Sequence, residues 1–371
     1  MLFRSGTVLG GPAVTWNPPF PESHLLQRIL PATPDVLEPP LYVRPGDDGE
    51  SFDTYFGVFH AARWRRKTSV GRLHVAVELD GPGDVEVVAV KRLGEKVVES
   101  ARASGTGSVN IRLVDLADTN IDTYYVRVRG ARLVRGGWYA ENAPLRDVRL
   151  NACITTFNRQ PYVLANVERM RRMVRDIPSV AESFRTTIVD NGRNLEVPPG
   201  EGLAVRVIPN PNLGGAGGFA RGLMHARHDG WTTHVLFMDD DISMEAESVV
   251  RTVALFRYAT DPELCVHGAM ISEEIPWMQF EAGSHYAWRY TYPLRAVGRE
   301  DDLRDRITVL ADEPEPAFEY TAWWFTAFPI GVGKDNPLPV FVRGDDVAFG
   351  LLDRKSTRLN SSHLVISYAV F

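Results

Sequence analysis

Three consecutive aspartates, Asp239, Asp240 and Asp241, directly follow an apolar stretch, residues 235–238, that is typical of a buried strand. Ligands of open α/β sheets bind beyond the carboxyl ends of the strands, so the triplet lies where chemistry is expected. If the extended backbone continues, Asp239 and Asp241 project to the same side of the chain. Close carboxylates repel each other unless a cation lies between them, and oxygen ligands suit Mg²⁺ or Mn²⁺. Such an ion could neutralise a diphosphate leaving group; the alternatives are a solvated acidic loop or a helix N-cap.

A glycine-rich segment, residues 210–222, precedes the triplet and holds four glycines within five positions, 214–218. Glycines permit positive φ angles and a close approach of the backbone. A helix is predicted over residues 217–228, so free backbone N–H groups at its start could face an anion. The segment is not a P-loop, because no Lys-Ser/Thr pair follows the glycines. A tight strand–helix connection is the open alternative.

Two polar loops follow other strand-like stretches. Residues 155–159 (TTFNR) could hold a nucleotide base or a phosphate, although a plain connection with Arg159 in solvent is equally open. Asp190, followed by Asn191 and Gly192, could accept a hydrogen bond from a ribose hydroxyl or a uracil N–H. The alternative there is an Asn-Gly turn capped by Asp190.

Two further motifs lie near the end of the chain. Trp323 and Trp324 are adjacent and could form a stacking wall for a sugar ring, or an aromatic pair of the core. Asp345 and Asp346 precede a helical pattern and could supply a general base. A helix N-terminus would favour their ionised form, and helix capping is the alternative role.

The elements that must position these residues fall into two groups. Residues 1–50 are rich in proline and are expected to run as extended chain, except for a helix predicted over residues 21–30. Strand-like stretches at 69–79, 84–90, 109–114 and 123–130 predict an antiparallel β-sandwich of about 100 residues.

Strand and helix patterns alternate after this β-rich part. Strands are predicted at 148–155, 185–189, 203–208 and 234–238, with helices at 162–175 and 217–228. This alternation predicts a mostly parallel α/β sheet. We therefore expect an N-terminal extended segment plus β-sandwich over 1–148 and an α/β domain over 149–353. Residues 354–371 resemble vector read-through and are left out of the fold prediction; a genuine terminal segment is the alternative.

The composition limits the classes of function. The chain has 371 residues and a formal net charge of −6, which argues against a nucleic-acid binder. No apolar run approaches the roughly 18–20 residues that span a bilayer, and the first ten residues are too short for a signal-peptide core. We expect a cytoplasmic protein, or one peripheral at the inner face of the plasma membrane. The two cysteines, Cys153 and Cys265, are predicted to be small buried hydrophobes.

Taken together, the motifs resemble the GT-A fold of family 2 glycosyltransferases. They are most similar to the actinobacterial polymerising galactofuranosyltransferases, through TTFNR at 155–159, NPNLGGAGGFARG at 210–222, FMDDDI at 237–242, TAWWF at 321–325 and FVRGDD at 341–346. An N-terminal β-sandwich ahead of the transferase domain also fits this family. The resemblance implies an α/β GT-A domain behind the β-sandwich. It also implies an inverting transfer of galactofuranose from UDP-galactofuranose to a galactan or lipid-linked glycan.

The resemblance implies roles for individual residues. Asp346 would be the catalytic base, and Asp239 and Asp241 would bind Mn²⁺ or Mg²⁺. The residues expected at the UDP-sugar are Thr156, Phe157, Arg159, Asp190, Asn212, Gly214, Gly215, Asp239 and Asp240. The residues expected at the acceptor are Trp323, Trp324, Glu281, Trp288 and Asp345. Peripheral membrane contact and a homo-oligomer are further expectations.

The sequence departs from the family pattern after Asp353. Family members continue there with a histidine that completes the metal site and with a helical region, so a truncation is expected; His363 lies in the vector-like tail. Two other functions stay open: a glycan-binding protein whose carboxylates do no chemistry, and a family 2 transferase for another nucleotide sugar.

Overall fold

The computed structural model describes residues 18–30, 39–91, 94–287, 289–291, 293–298, 300–311, 320–332, 336–341, 343–356 and 362–369.

The N-terminal part folds into two antiparallel sheets and a short helix. Its strands are β1 (Leu25–Leu30), β2 (Arg44–Gly46), β3 (Gly49–Ser51), β4 (Arg72–Leu79), β5 (Gly83–Lys91), β6 (Gly94–Ala103), β7 (Gly107–Asp115), β8 (Thr123–Arg129) and β9 (Leu133–Ala140), and its helix is α1 (Ala61–Lys67). The sheet orders are β1-β9-β4-β7 and β2-β3-β8-β5-β6. Between the sheets, Phe59 stacks on Trp64 and Trp138 with ring centroids 5.5 and 5.1 Å apart. The predicted β-sandwich is confirmed.

The helix predicted over residues 21–30 is wrong. A three-residue 3-10 helix at Glu22–His24 leads directly into strand β1, which pairs antiparallel with β9. Leu25, Leu26 and Ile29 are all buried, and such a short apolar run does not by its spacing distinguish a helix from a strand. The segment forms a strand because its backbone N–H and C=O groups find hydrogen-bond partners along the edge of β9.

The second part is an α/β domain. Its helices are α2 (Gln160–Asp176), α3 (Pro178–Ala181), α4 (Gly214–His228), α5 (Ala246–Tyr258), α6 (Arg306–Leu310) and α7 (Asp345–Ser356). Its strands are β10 (Leu150–Thr156), β11 (Phe184–Asp190), β12 (Ala204–Pro209), β13 (His234–Asp239), β14 (Ile242–Ser243), β15 (Val266–Ser272), β16 (Met278–Glu281), β17 (Ser284–Tyr286), β18 (Leu294–Ala296), β19 (Asp301–Asp302) and β20 (Thr326–Pro329).

The main sheet has the order β12-β11-β10-β13-β20-β15-β16-β19. Strands β10 to β13 run parallel to one another, and β20 then pairs antiparallel with β13 and with β15. The carboxyl ends of β10, β11, β12 and β13 therefore meet at one edge. The predicted fold class, an α/β GT-A-type domain behind a β-sandwich, agrees with this architecture.

The backbone of residues 362–369 forms strand β21 (Ser362–Ala369), which runs parallel to β15 and pairs with β14. The segment left out of the fold prediction thus contributes a strand in this structure. This pairing does not test where the segment comes from.

A buried ion cluster joins the β-sandwich to the α/β domain. Glu247 of α5 accepts hydrogen bonds from the backbone N–H and Nε of Arg28 on β1, both at 2.9 Å, and from Arg251 Nε at 3.1 Å. Arg251 also donates to the carbonyl of Phe56 at 2.5 Å. Glu247 and Arg251 are 1% and 3% exposed, so this cluster holds β1 and helix α5 together away from water.

Candidate active site at the carboxyl edge of the parallel sheet

The acidic triplet begins on the last residue of β13. Asp239 lies beside Thr155 of β10 in the parallel register, and the backbone then turns at Asp240 and Asp241 before β14. The condition under which Asp239 and Asp241 would share one side, a continued extended backbone, is therefore not met, because the chain leaves the strand. Asn166 of α2 holds the turn, with its Nδ2 donating to the carbonyls of Asp240 and Ile242 at 3.2 and 2.8 Å.

The triplet is electrostatically strained. Burial, reinforced by the charges of Asp241, Asp240, Asp346 and Asp345, raises the pKa of Asp239 to about 7. Burial also raises the pKa of Asp240, which is 7% exposed, although the neighbouring Thr156 and Arg159 oppose the shift. The carboxylates of the FVRGDD motif thus act directly on the triplet, although about a hundred residues separate them in the chain.

Arg159 is the cation that the structure places against this charge. It is the N-cap residue of α2, and its Nη1 lies 3.3 Å from Asp240 Oδ1 and forms an ion pair with Asp241 Oδ2. Its side chain is half exposed. The preceding residue, Asn158, has a φ of 57°, a conformation that asparagine tolerates better than most residues. The guanidinium therefore bridges two carboxylates from a loop rather than pointing into solvent.

The glycine-rich segment lies against the second acidic motif. Helix α4 begins at Gly214, three residues earlier than predicted, so the glycines form its first turn. Gly214 has a φ of +72°, and a Cβ there would stand 2.0 Å from the Phe341 carbonyl oxygen. A Cβ on Gly215 would stand 2.8 Å from Asp345 Oδ2. The chain around the FVRGDD motif therefore packs on the start of α4, at a distance only glycine permits.

Amide and carboxylate side chains join the ends of β11 and β12 to the same turn. Asp190 is buried and accepts from the backbone N–H groups of Gly192 at 2.9 Å and of Asn194 and Leu195, both at 2.7 Å. Asn191 donates to the carbonyl of Gly214 at 3.1 Å. The loop capping foreseen for Asp190 is present. The role of Asp190 at a nucleotide stays a prediction.

Three other residues expected at the nucleotide lie along the same edge. Thr156 is 3% exposed at the end of β10, whereas Phe157, the next residue, is 49% exposed. Asn212 uses its Oδ1 to accept from the Gly214 N–H at 3.2 Å and caps the glycine turn. These residues share one rim of the sheet, and their contacts with a nucleotide stay predictions.

Asp346 lies in a small cavity whose other lining residues are mostly aromatic or apolar. Burial, together with the charge of Asp345, raises the pKa of Asp346 to about 6. The cavity is lined, besides Asp346, by Cys265, His267, Thr321, Trp323 and Phe349, among others. His267 Nδ1 lies 2.5 Å from Thr321 Oγ1 and 3.1 Å from Thr326 Oγ1, so three polar side chains share this space with the carboxyl group.

The two tryptophans are more buried than a stacking wall requires. Trp323 is 4% exposed and packs edge-on against Phe219 and Phe237, with one side lining the cavity that holds Asp346. Trp324 is 8% exposed, and its Nε1 donates to the carbonyl of Gly268 at 2.8 Å. The core arrangement is the one found here, and acceptor contacts of both residues stay predictions.

Glu281, another acceptor candidate, shares a neighbour, Tyr320, with Asp346. Glu281, at the end of β16, accepts from Ser284 Oγ at 2.5 Å. Burial raises the pKa of Tyr320 to about 12, and the charges of Glu281 and Asp346 add to this shift, so both carboxylates lie near its hydroxyl. Trp288 lies outside the described residues.

Sequence reasoning missed Asn166, Tyr320 and His267. Asn166 could have been found from the sequence, because it is a polar residue among the apolar positions of α2, between Val163 and Val167. In the structure it is 1% exposed. His267 had no such sequence signal, because its position depends on the pairing of β15 with β20. Tyr320 had none either, because its position depends on a backbone bridge with Ser284.

The carboxylates of the acidic triplet are a chemically suitable set of ligands for a divalent cation. Their oxygens are hard ligands. Burial, and after it the charges of neighbouring aspartates, raise the pKa of Asp239 and Asp240, and a bound cation would favour their ionised forms. In the side-chain arrangement of the described residues, no three His, Cys, Asp or Glu groups are close enough to hold an ion. Arg159 takes part of the counter-charge instead.

Comparison with known proteins agrees with the order of the two domains. Residues 42–141 match the family model "Galactofuranosyltransferase 2 N-terminal", and residues 152–309 match "Glycosyl transferase family 2".

The described part of the chain holds no helix both long and apolar enough to cross a membrane.

Two curated relatives are galactofuranosyltransferases named GlfT2. The protein from Mycobacterium tuberculosis is 29% identical over 81% of this chain, and that from Mycolicibacterium smegmatis 28% identical over 81%. This chain covers 51% and 50% of them, so it spans about half the length of the curated relatives it matches. Among solved structures, a mannosyltransferase from Pyrobaculum calidifontis is 15% identical to this chain, with a TM-score of 0.37. The aligned part is 62% of this chain and 59% of the mannosyltransferase chain. The chain is thus similar to the GlfT2 galactofuranosyltransferases over about half of their length, and it matches the models of a galactofuranosyltransferase N-terminal domain followed by a glycosyl transferase family 2 domain.

Proposed function

We propose that this chain carries the donor site and the base of an inverting, metal-dependent galactofuranosyltransferase. UDP-galactofuranose is the proposed donor, and a cell-wall galactan or lipid-linked glycan is the proposed acceptor. One observation carries the proposal: Asp345 and Asp346 act electrostatically on Asp239, while Asp345 also touches the glycine turn at Gly215. The acidic triplet, the glycine turn and the candidate base are thus close neighbours, which supports a single shared site.

The chemistry follows from the state of Asp346. Its carboxylate removes the proton from an acceptor hydroxyl, the hydroxyl oxygen bonds to the anomeric carbon, and the bond from that carbon to the UDP oxygen breaks. One base and one displacement invert the anomeric configuration. A carboxyl group with a pKa of about 6 is a stronger base than an ordinary aspartate and is still ionised at neutral pH.

The donor is held by the other residues of the edge. Asp239 and Asp241 are the proposed ligands of Mn²⁺ or Mg²⁺, which when bound supplies positive charge to a departing diphosphate. Arg159 is proposed to pair with a phosphate oxygen, because a guanidinium matches phosphate geometry. The first turn of α4 presents backbone N–H groups beside Gly214 and Gly215.

The acceptor side is proposed to lie beyond Asp346. Glu281, Tyr320 and the cavity edge of Trp323 border that side. Because a lipid-linked acceptor resides at a membrane, peripheral contact with the inner face of the plasma membrane is part of this proposal.

Calorimetry of UDP binding with and without Mn²⁺ tests the donor site. We expect metal-dependent binding that weakens at least about tenfold in Asp239→Asn and Asp241→Asn, since each removes a metal ligand. Asp176→Asn, at the exposed end of α2, is the matched control and keeps the parent affinity. UDP binding that EDTA leaves unchanged would contradict the metal-dependent site.

A donor panel separates the proposed sugar from others. We expect turnover with UDP-galactofuranose and none with UDP-glucose; the reverse result would assign the domain to another nucleotide sugar. Glycan binding that survives both EDTA and Asp346→Asn, without any turnover, would instead identify a binding protein.

A further inference from the structure

The position of Arg159 has a consequence for how metal and nucleotide enter the site. Its Nη1 contacts both Asp240 Oδ1 and Asp241 Oδ2. Among the described residues, the ion pairs recorded for the triplet all involve this guanidinium. It therefore serves as the counter-ion of carboxylates that otherwise repel one another.

A guanidinium in this position competes with a divalent cation. Asp241 is a proposed metal ligand, and an ion bound to it would approach the positive charge of Arg159 closely. Like charges at such a distance repel strongly in a partly buried site. The carboxylate can therefore bind either the arginine or the metal well, but not both in this arrangement.

The side chain is free to leave if another anion attracts it. Its exposed fraction is 50%, and it extends from a loop residue that precedes the first turn of α2. A diphosphate offers oxygens that a guanidinium binds in paired hydrogen bonds, and it carries more negative charge than one carboxylate.

We propose that Arg159 is an exchangeable internal counter-ion, which occupies the cation position at Asp240 and Asp241 until the donor diphosphate draws it away and exposes Asp241 to the metal. This inference rests on the proposed function of the same site. It makes the binding of metal and nucleotide cooperative, because each ligand favours the arrangement in which Arg159 has left the triplet.

Mn²⁺ titrations followed by electron paramagnetic resonance, without any turnover, test this exchange. Without nucleotide, we expect Arg159→Gln to bind Mn²⁺ roughly tenfold more tightly than the parent chain, because the competing charge is gone. Arg159→Lys keeps the charge and is expected to stay close to the parent affinity. Arg175→Gln removes an exposed arginine at the other end of α2 and serves as the matched control.

The same titrations repeated with UDP measure the coupling. UDP is expected to tighten Mn²⁺ binding to the parent chain by a factor within roughly 5–150, and to have a clearly smaller effect on Arg159→Gln. Equal Mn²⁺ affinities of the parent and Arg159→Gln without UDP would overturn the exchange alone. No Mn²⁺ binding by either protein, with or without UDP, would overturn the proposed function and the exchange with it.

Discussion

Gly215 and Asp345 lie so close that a single added carbon on the glycine would stand 2.8 Å from the aspartate Oδ2. The contact joins the first turn of α4 to the first turn of α7, two helices separated in the chain by the whole region from β13 to β20. It fixes the distance between the glycine turn, expected to face the donor, and the carboxylates, expected to face the acceptor. Four predictions follow from this edge of the sheet and from the domain contact behind it.

Gly214→Ala should destabilise the protein strongly. A left-handed alanine costs about 1–2 kcal/mol, and its Cβ would also stand 2.0 Å from the Phe341 carbonyl oxygen, so we expect a loss of about 3 kcal/mol or more. Gly230→Ala is the matched control, because Gly230 has a φ of +67° but no atom within 4 Å of the added Cβ. Chemical denaturation measures both, and equal losses would show that the contact with Phe341 is unimportant.

Asp239→Asn should stabilise the metal-free protein at neutral and alkaline pH. The pKa of Asp239 in the folded protein is about 7, above its value in the unfolded chain. The unfolded state therefore loses its proton first, and the folded state loses stability as pH rises from about 4 to about 7. The variant lacks this loss, so its advantage should grow over that interval to the order of 4 kcal/mol, about 1.4 kcal/mol for each unit by which the pKa is raised. Thermal melts in EDTA at several pH values check this, and a constant difference across the series would contradict it.

The rate of transfer should depend on the ionisation of Asp346. The pKa of this group is raised to about 6 by burial, and only the ionised form accepts a proton. We therefore expect kcat/KM to fall about tenfold per pH unit below 6. Asp346→Asn should lower kcat by a factor of about 10²–10⁴ while UDP affinity measured by calorimetry is retained. Weakened UDP binding of similar size would instead assign Asp346 to the donor site.

Glu247→Gln should weaken the contact between the β-sandwich and the α/β domain. It leaves Arg251 buried without its carboxylate, and breaking a buried pair in this way costs about 3–5 kcal/mol. Asp84→Asn breaks the exposed pair with Arg102 and should cost at most about 1 kcal/mol. Urea denaturation compares the two variants. Similar small losses would indicate that the buried cluster does not hold the domains together.

The chemistry-bearing residues could be recognised from the sequence because each motif follows a strand or opens a helix. Asp239 ends β13, Asp190 ends β11, and Asp345 begins α7, as the alternation of apolar and polar residues indicates. Parallel strands place their carboxyl ends at one edge, so local pattern was enough to predict one shared site.

The sequence did not show in the same way which other segment each residue would contact. The sequence predicted a helix at residues 21–30, but the free edge of β9 made strand β1 there. It also left open whether Trp324 lines a surface or packs in the core. In the structure Trp324 is buried in the core, where its Nε1 donates to the Gly268 carbonyl.

By itself, the sequence determined which residue types stand at the ends of the elements and in which order the two domains follow, since both depend on local periodicity and on motifs. Only the tertiary structure decided that Arg159 pairs with Asp241, that Asp346 adds to the burial that raises the pKa of Asp239, and that Asp345 lies against Gly215. The physical reason is that charge interactions and close packing depend on distance in space. The strand order that sets those distances is fixed by the burial of the whole core, not by any one segment.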